Sequence, residues 1–165
     1  MRTNLRIVED IDTQLCNAAK LYGQMQEYSN KGLLNKLIED GYSRHDAKEL
    51  IDDVKKFLAL AASVSEAIAP TKALDIGWHA FILFTREYSK FCLRYCGWFI
   101  HHEPVDKESD LPDYEMLPRT KKLAKAAFGA LSKNWEVTKG QNDVDCNPIG
   151  CQDKECSVPD CSSNQ

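Results

Sequence analysis

Apolar side chains recur at steps of three and four residues through the first 135 positions, and then nearly vanish. That spacing is the mark of amphipathic helices with one buried stripe each. In LRIVEDIDTQLCNAAKLYGQM the stripe is Leu5, Val8, Ile11, Leu15, Ala18 and Tyr22. KGLLNKLIED predicts a shorter helix that stops at Gly41. Ser43 then has the chemistry of an N-cap, with Asp46 in the capping-box position. The helix after it carries Leu50, Val54, Phe57, Leu58 and Ala61 inward and is ended by Pro70. Thr71 or Asp75 caps the next helix, which is expected to run unbroken through Asp75–Cys96 and to close at Gly97. WFIHHEP reads as extended, since Pro104 disfavours helix before it. Pro118, suited to a first helical turn, opens a last helix with Leu123, Ala126, Ala127, Ala130 and Leu131 inside. The expected fold is therefore all-α: a single bundle of about five helices, with the Asp75–Cys96 helix at its centre.

The composition divides the chain in two. Residues 1–135 form the expected helical domain, and 136–165 an acidic Cys-rich tail, flexible and disordered without ligand. The net charge of −4 comes from the tail, where six acids face two lysines. The preceding residues hold nineteen charges of each sign, which argues against nucleic acid as a partner. No apolar run approaches the roughly 20 residues of a membrane span, and the acidic N-terminal stretch does not read as a signal peptide. The expectation is a cytoplasmic protein with no membrane partner. In that reducing compartment the seven cysteines are not expected to form structural disulfides.

The chemistry-bearing side chains concentrate in one region. Three of the four histidines, His79, His101 and His102, lie there among Trp78, Phe81, Phe84, Tyr88, Phe91, Tyr95 and Trp98. Imidazole is the commonest metal ligand near neutral pH. Asp75 stands four residues before His79, so the two share a helix edge. Asp75 is thus a further ligand, or the carboxylate that orients His79. Successive side chains of an extended segment point to opposite sides, so only one of His101 and His102 can join His79. Two imidazoles, one carboxylate and an open position suit Zn or Fe(II). Geometry stands against the pairing. Three extended residues after Gly97 span roughly 10 Å, whereas a straight helix puts His79 about 27 Å from Gly97. Contact then requires the chain to fold back, or a second copy to complete the site. The plainer alternative keeps Asp75 as a cap and the histidines as structural hydrogen-bonding groups. Cys92 and Cys96, also four apart, read as buried thiols.

Pro70, Thr71, Asp75, Trp78, His79, Thr85, Tyr88, Phe91, Cys92, Gly97, Ile100, His101, His102 and Pro104 together make a pattern. It runs Asp-x-x-Trp-His, Thr-x-x-Tyr-x-x-Phe-Cys, Gly-x-x-Ile-His-His-x-Pro, and it resembles the signature of the glycine-rich domain-containing protein family. The resemblance extends from about Phe57 to Trp135 and implies no defined activity. Many members of that family end in Gly- and Cys-rich tails; this tail has the cysteines but only Gly140 and Gly150.

Cys146, Cys151, Cys156 and Cys161 follow one another at every fifth residue, with acids between them. Thiolates select soft or borderline cations, and the negative charge attracts them. The alternatives are redox-active or crosslinking thiols, or incidental cysteines in a loose tail. These residues point to a metal-binding or metal-handling protein that uses Asp75, His79, His101 and His102, the tail cysteines, or both. The candidate ions are Zn, Fe and Cu. Two other classes stay open: a metal-dependent enzyme acting on a small molecule or peptide, and a helical interaction module with structural histidines. Expected partners are the metal ion, with a protein partner or self-association also open. The chain carries no phosphate-binding glycine loop, nucleophile elbow or His-Glu-x-x-His motif.

Overall fold

A computed structural model describes residues 9–104, 115–137 and 146–150. The described chain is mostly helical: α1 (Ile11–Met25), α2 (Lys31–Glu39), α3 (Arg44–Ser63), α4 (Lys72–Ile82), α5 (Thr85–Phe91) and α6 (Met116–Phe128). Two short strands, β1 (Ile100–Pro104) and β2 (Cys146–Gly150), form an antiparallel pair. Six α-helices thus replace the expected five or so, because the unbroken helix foreseen over Asp75–Cys96 is three pieces.

The caps follow from local chemistry. Asp10, Asn30, Ser43 and Thr71 each accept a hydrogen bond from a backbone N–H three residues on, satisfying a donor that a helix start leaves unpaired. Ser43 also donates to the Asp46 carboxylate. Gly41 takes φ +100° just past α2, a conformation costly for any residue with a Cβ. α3 ends at Ser63, earlier than Pro70 demands. There the Ser65 N–H leaves the helical ladder and donates to the buried Gln14 side chain. The segment beyond it is held in place by α6 and its sequel: Ala69 N–H donates to Thr120 Oγ1, and the Thr71 hydroxyl donates to the Asn134 carbonyl.

α3 is the spine of the core. Leu50, Phe57, Leu58, Ala59 and Leu60 are fully buried on it. α4 packs tightly across it at Gly77, where an added Cβ would stand 2.8 Å from Leu50 Cγ and 2.9 Å from Val54 Cγ2. That close approach lays Trp78 on Phe57, with ring centroids 5.4 Å apart. Leu83 and Phe84 then break the helical line, Phe84 having φ −85° and ψ 60°. The Phe84 ring fills the space above Gly32 of α2, where an added Cβ would lie 2.8 Å from Phe84 Cε1. After α5 a π-helical turn, Cys92–Cys96, closes at Gly97 with φ +81°, and the chain reverses into β1.

Residues 146–150, for which the composition predicts no regular structure, lie along β1 with Ile100 opposite Gly150 and Pro104 opposite Cys146. Cys151, Cys156 and Cys161, like Val8 and Leu5, lie outside the described residues. Among the described residues no helix is long and apolar enough to cross a membrane.

Candidate functional site

α4 carries Asp75 and His79 one turn apart, and β1 carries His102. These three side chains meet. Asp75 Oδ1 lies 2.7 Å from His102 Nε2 and 3.5 Å from His79 Nε2. One ligand-type atom from each residue falls within 4.8 Å of the other two. The His79 and His102 rings stand edge to face with centroids 4.1 Å apart. The cluster is graded in exposure: the side chain of His102 is 10% accessible, that of Asp75 23% and that of His79 61%. One wall is therefore fixed in the protein and one opens to solvent.

His102 is held from behind. Its ring lies 4.4 Å, centroid to centroid, from the fully buried indole of Trp78. The Trp78 Nε1–H donates to Tyr88 Oη at 2.9 Å, and the Tyr88 hydroxyl donates to the Ile100 carbonyl at 2.6 Å. The Ile100 N–H reaches the Cys92 thiol. Both backbone groups of the residue two before His102 are thus tied to buried side chains of α5 and the π turn. Burial pushes the Tyr88 hydroxyl and the Cys92 and Cys96 thiols upward from their ordinary ranges, so Tyr88 keeps the proton it donates to Ile100 and both thiols stay neutral.

Chemically, this is a carboxylate flanked by two imidazoles. In the metal-free pair the Asp75 carboxylate accepts a hydrogen bond from His102 Nε2–H. A divalent ion would compete for that position. Zinc bonds N and O at about 2.0–2.2 Å, so neighbouring ligand atoms sit roughly 3.4 Å apart. The pair need open by less than about 1 Å to admit an ion, and the exposed side of His79 leaves room for water or another ligand.

Of the expected site residues, Asp75, His79 and His102 come together, and His101 does not. As the alternation of an extended strand requires, His101 faces the other way, and its ring lies tilted against Phe99 with centroids 4.7 Å apart. The 27 Å obstacle is removed by the break at Leu83–Phe84, which turns α5 back instead of continuing α4. Of the tail cysteines, Cys146 is placed at the start of β2. Cys151, Cys156 and Cys161 lie outside the described residues. Cys16 is exposed, while Cys92 and Cys96 are buried.

Two features escaped the reading of the sequence. Ile76 and Leu83 are exposed large apolar residues at three and four positions either side of His79, placing an apolar margin on the solvent side of the cluster. A helical wheel drawn around His79 would have shown it. The second is structural: Asp53 is fully buried and accepts hydrogen bonds from Ser132, Asn134 and Trp135.

A model of the UCP032817-like family matches residues 23–113, more than half of the chain. The chain belongs to the UCP032817-like family. This corrects the resemblance to glycine-rich domain-containing proteins. Several positions that carried that resemblance, Trp78, Tyr88, Phe91, Cys92 and Ile100, are buried packing positions, so they report a helical core as much as a lineage. No curated protein and no solved structure matches the chain. In this UCP032817-like chain the clustered Asp75, His79 and His102 all lie inside the matched residues, whereas α6 and β2 lie beyond them.

Proposed function

We propose that this UCP032817-like protein is a metal-binding or metal-handling protein whose ion is held by Asp75, His79 and His102. The observation that carries the reading is the meeting of two imidazoles and a carboxylate from separate elements within 4.8 Å, one of them open to solvent. Two His and one carboxylate leave coordination positions free, the arrangement that suits Zn or Fe(II) and also admits Cu(II). Trp78, Tyr88 and Cys92 support the site by fixing the strand that carries His102. The tail thiolates form the second half of the proposal, as a store or entry route for a soft cation.

The open side of His79, bordered by Ile76 and Leu83, favours one further reading: a metal-dependent enzyme whose substrate enters there with an apolar group. In that case Asp75 and His102 hold the ion, and His79 is the residue nearest to solvent and substrate.

The test is competition of Zn(II) between a chromophoric chelator and untagged protein whose four tail cysteines are changed to Ser, with single substitutions. His79→Ala and His102→Ala should each weaken binding by about tenfold or more, while His101→Ala binds like wild type. Equal binding by all three variants and the parent would refute the site.

A further inference from the structure

We infer that the open side of the Asp75–His79–His102 cluster takes a small aliphatic carboxylate, with its oxygen on the ion and its chain along Ile76 and Leu83. This inference rests on the metal reading above and names the ligand of that same site.

Charge selects the donor. Three protein ligands leave a position of a tetrahedral site free. A divalent ion held by one carboxylate and two neutral imidazoles keeps a net charge of about +1. Lys72 adds a second positive charge, exposed at the first position of α4 and three residues before Asp75. Residues three and four apart on a helix are neighbours, so Lys72 stands one turn below Asp75 and Ile76 on the same face. Among the described residues no carboxylate pairs with Lys72. The acid that follows His102, Glu103, alternates to the opposite face of β1. An anion therefore neutralises this side of the site, whereas an alcohol or a protonated amine does not.

The apolar border selects the rest of the molecule. Side chains on a helix lean toward its N-terminus. His79 does so, and its Nε2 reaches back to 3.5 Å from Asp75 Oδ1. The exposed ring thus covers the turn that holds Ile76, three residues earlier, while Leu83 stands four residues later. Ile76 is 42% and Leu83 69% exposed, so both leave apolar surface in water on either side of a ligand. They are separated by about 10 Å along the helix axis. A short unbranched chain that starts beside Ile76 runs toward Leu83. The far side of the cluster is closed, because the His102 side chain is 10% accessible and lies against the Trp78 indole. The ligand therefore enters past His79. A fully buried methylene is worth about fourfold in affinity, and one laid on this open surface about twofold.

Cobalt(II) reports on the open position, because its visible bands shift when a new donor enters the coordination sphere. The full chain with its four tail cysteines changed to Ser is loaded with one Co(II) and titrated with acetate, butyrate, hexanoate and hexanol. The carboxylates should shift the bands saturably, with hexanoate binding about tenfold tighter than acetate. Hexanol should leave the bands unchanged. Ile76→Ser and Leu83→Ser should each narrow the gap between hexanoate and acetate by about threefold. Lys72→Gln should weaken both carboxylates alike by about threefold and keep their ratio. Co(II) that binds through His79 and His102 but ignores carboxylates, treats acetate and hexanoate equally, or responds as strongly to hexanol overturns this inference and leaves the three-ligand site standing. A hexanoate preference that survives both apolar substitutions does the same. No Co(II) bound by the full chain, or binding unchanged in His79→Ala and His102→Ala, overturns the three-ligand site itself and this inference with it.

Discussion

Asp75 and His102 are 27 residues apart in the chain, yet His102 Nε2 lies 2.7 Å from Asp75 Oδ1. The contact joins the N-terminal part of α4 to a strand that begins only after α5 and the π turn. It exists because the chain reverses twice between them, at Phe84 and at Gly97, and because β1 is pinned where it lands.

Tyr88 is the pin, and removing its hydroxyl should be felt at the proposed metal site. Tyr88→Phe keeps the buried ring but leaves the Trp78 indole N–H and the Ile100 carbonyl without their partner. The expected cost is about 1–3 kcal/mol in denaturant unfolding. Zn(II) affinity should fall as well, although Tyr88 touches no ligand atom. Unchanged affinity in a destabilised variant would show that β1 keeps its place without the hydroxyl.

Trp78 and Phe91 are 0% and 1% exposed. Trp78→Ala and Phe91→Ala should each destabilise the protein by about 3–5 kcal/mol, the cost of a cavity left by a large aromatic. Phe91→Ala should do so without altering which residues bind metal, since Phe91 packs on Tyr28, Phe81 and Tyr95, away from His102. Chemical denaturation of both variants checks the first expectation, and metal competition on Phe91→Ala the second.

Much of this was readable in the sequence because it is local. Ser43 with Asp46, Thr71 and Gly97 announce their turns by their own chemistry, and the spacing of Asp75 and His79 places both on one helix edge. The alternation of an extended strand also foretold that a single member of the His101/His102 pair would join them. The break at Leu83–Phe84 was not readable, because AFILFTREY contains no Pro or Gly and each residue tolerates a helix. What breaks it is distant: the Phe84 ring takes a space that exists only because residue 32, on another helix, lacks a Cβ. A similar limit hid β2, whose sequence is poor in strand formers and gains its structure from pairing with β1. Asp53 escaped for the same reason, since its partners lie 79 to 82 residues away.

Asp53 should therefore be one of the costliest single positions. Its carboxylate receives Ser132, Asn134 and Trp135 and stands 3.2 Å from the Lys56 ammonium, all with the carboxylate buried. Asp53→Ala leaves those donors unpaired and should cost about 3–5 kcal/mol. The loss should fall on the docking of the segment after α6. Quenching of Trp135 fluorescence by an added solute should rise in the variant while helical circular dichroism persists at low temperature.

Stability should decline in alkali. Burial raises the Cys92 and Cys96 thiols and the Tyr88 hydroxyl above their ordinary ranges in the folded protein. From about pH 9 upward the unfolded chain loses these protons while the folded chain keeps them, so the unfolded state is favoured as pH rises. Below the unfolded thiol range the contribution is fully present. Denaturant midpoints should fall between about pH 8 and pH 10, and a thiol reagent at the lower pH should modify Cys16 well before Cys92 or Cys96. Rapid native labelling of Cys92 would contradict the burial on which this rests.

The central claim is that Asp75, His79 and His102 hold one ion, and anomalous scattering at the zinc edge tests it most directly. Crystals of the untagged protein with Cys146, Cys151, Cys156 and Cys161 changed to Ser, grown with stoichiometric Zn(II), should show a single strong anomalous peak, about 2.0–2.2 Å from the nearest Asp75 oxygen and from one ring nitrogen each of His79 and His102. His101 should lie outside the coordination sphere. A peak elsewhere in the molecule, or none while Asp75 and His102 keep their direct hydrogen bond, would contradict the account and leave the three side chains as a structural tie between α4 and β1.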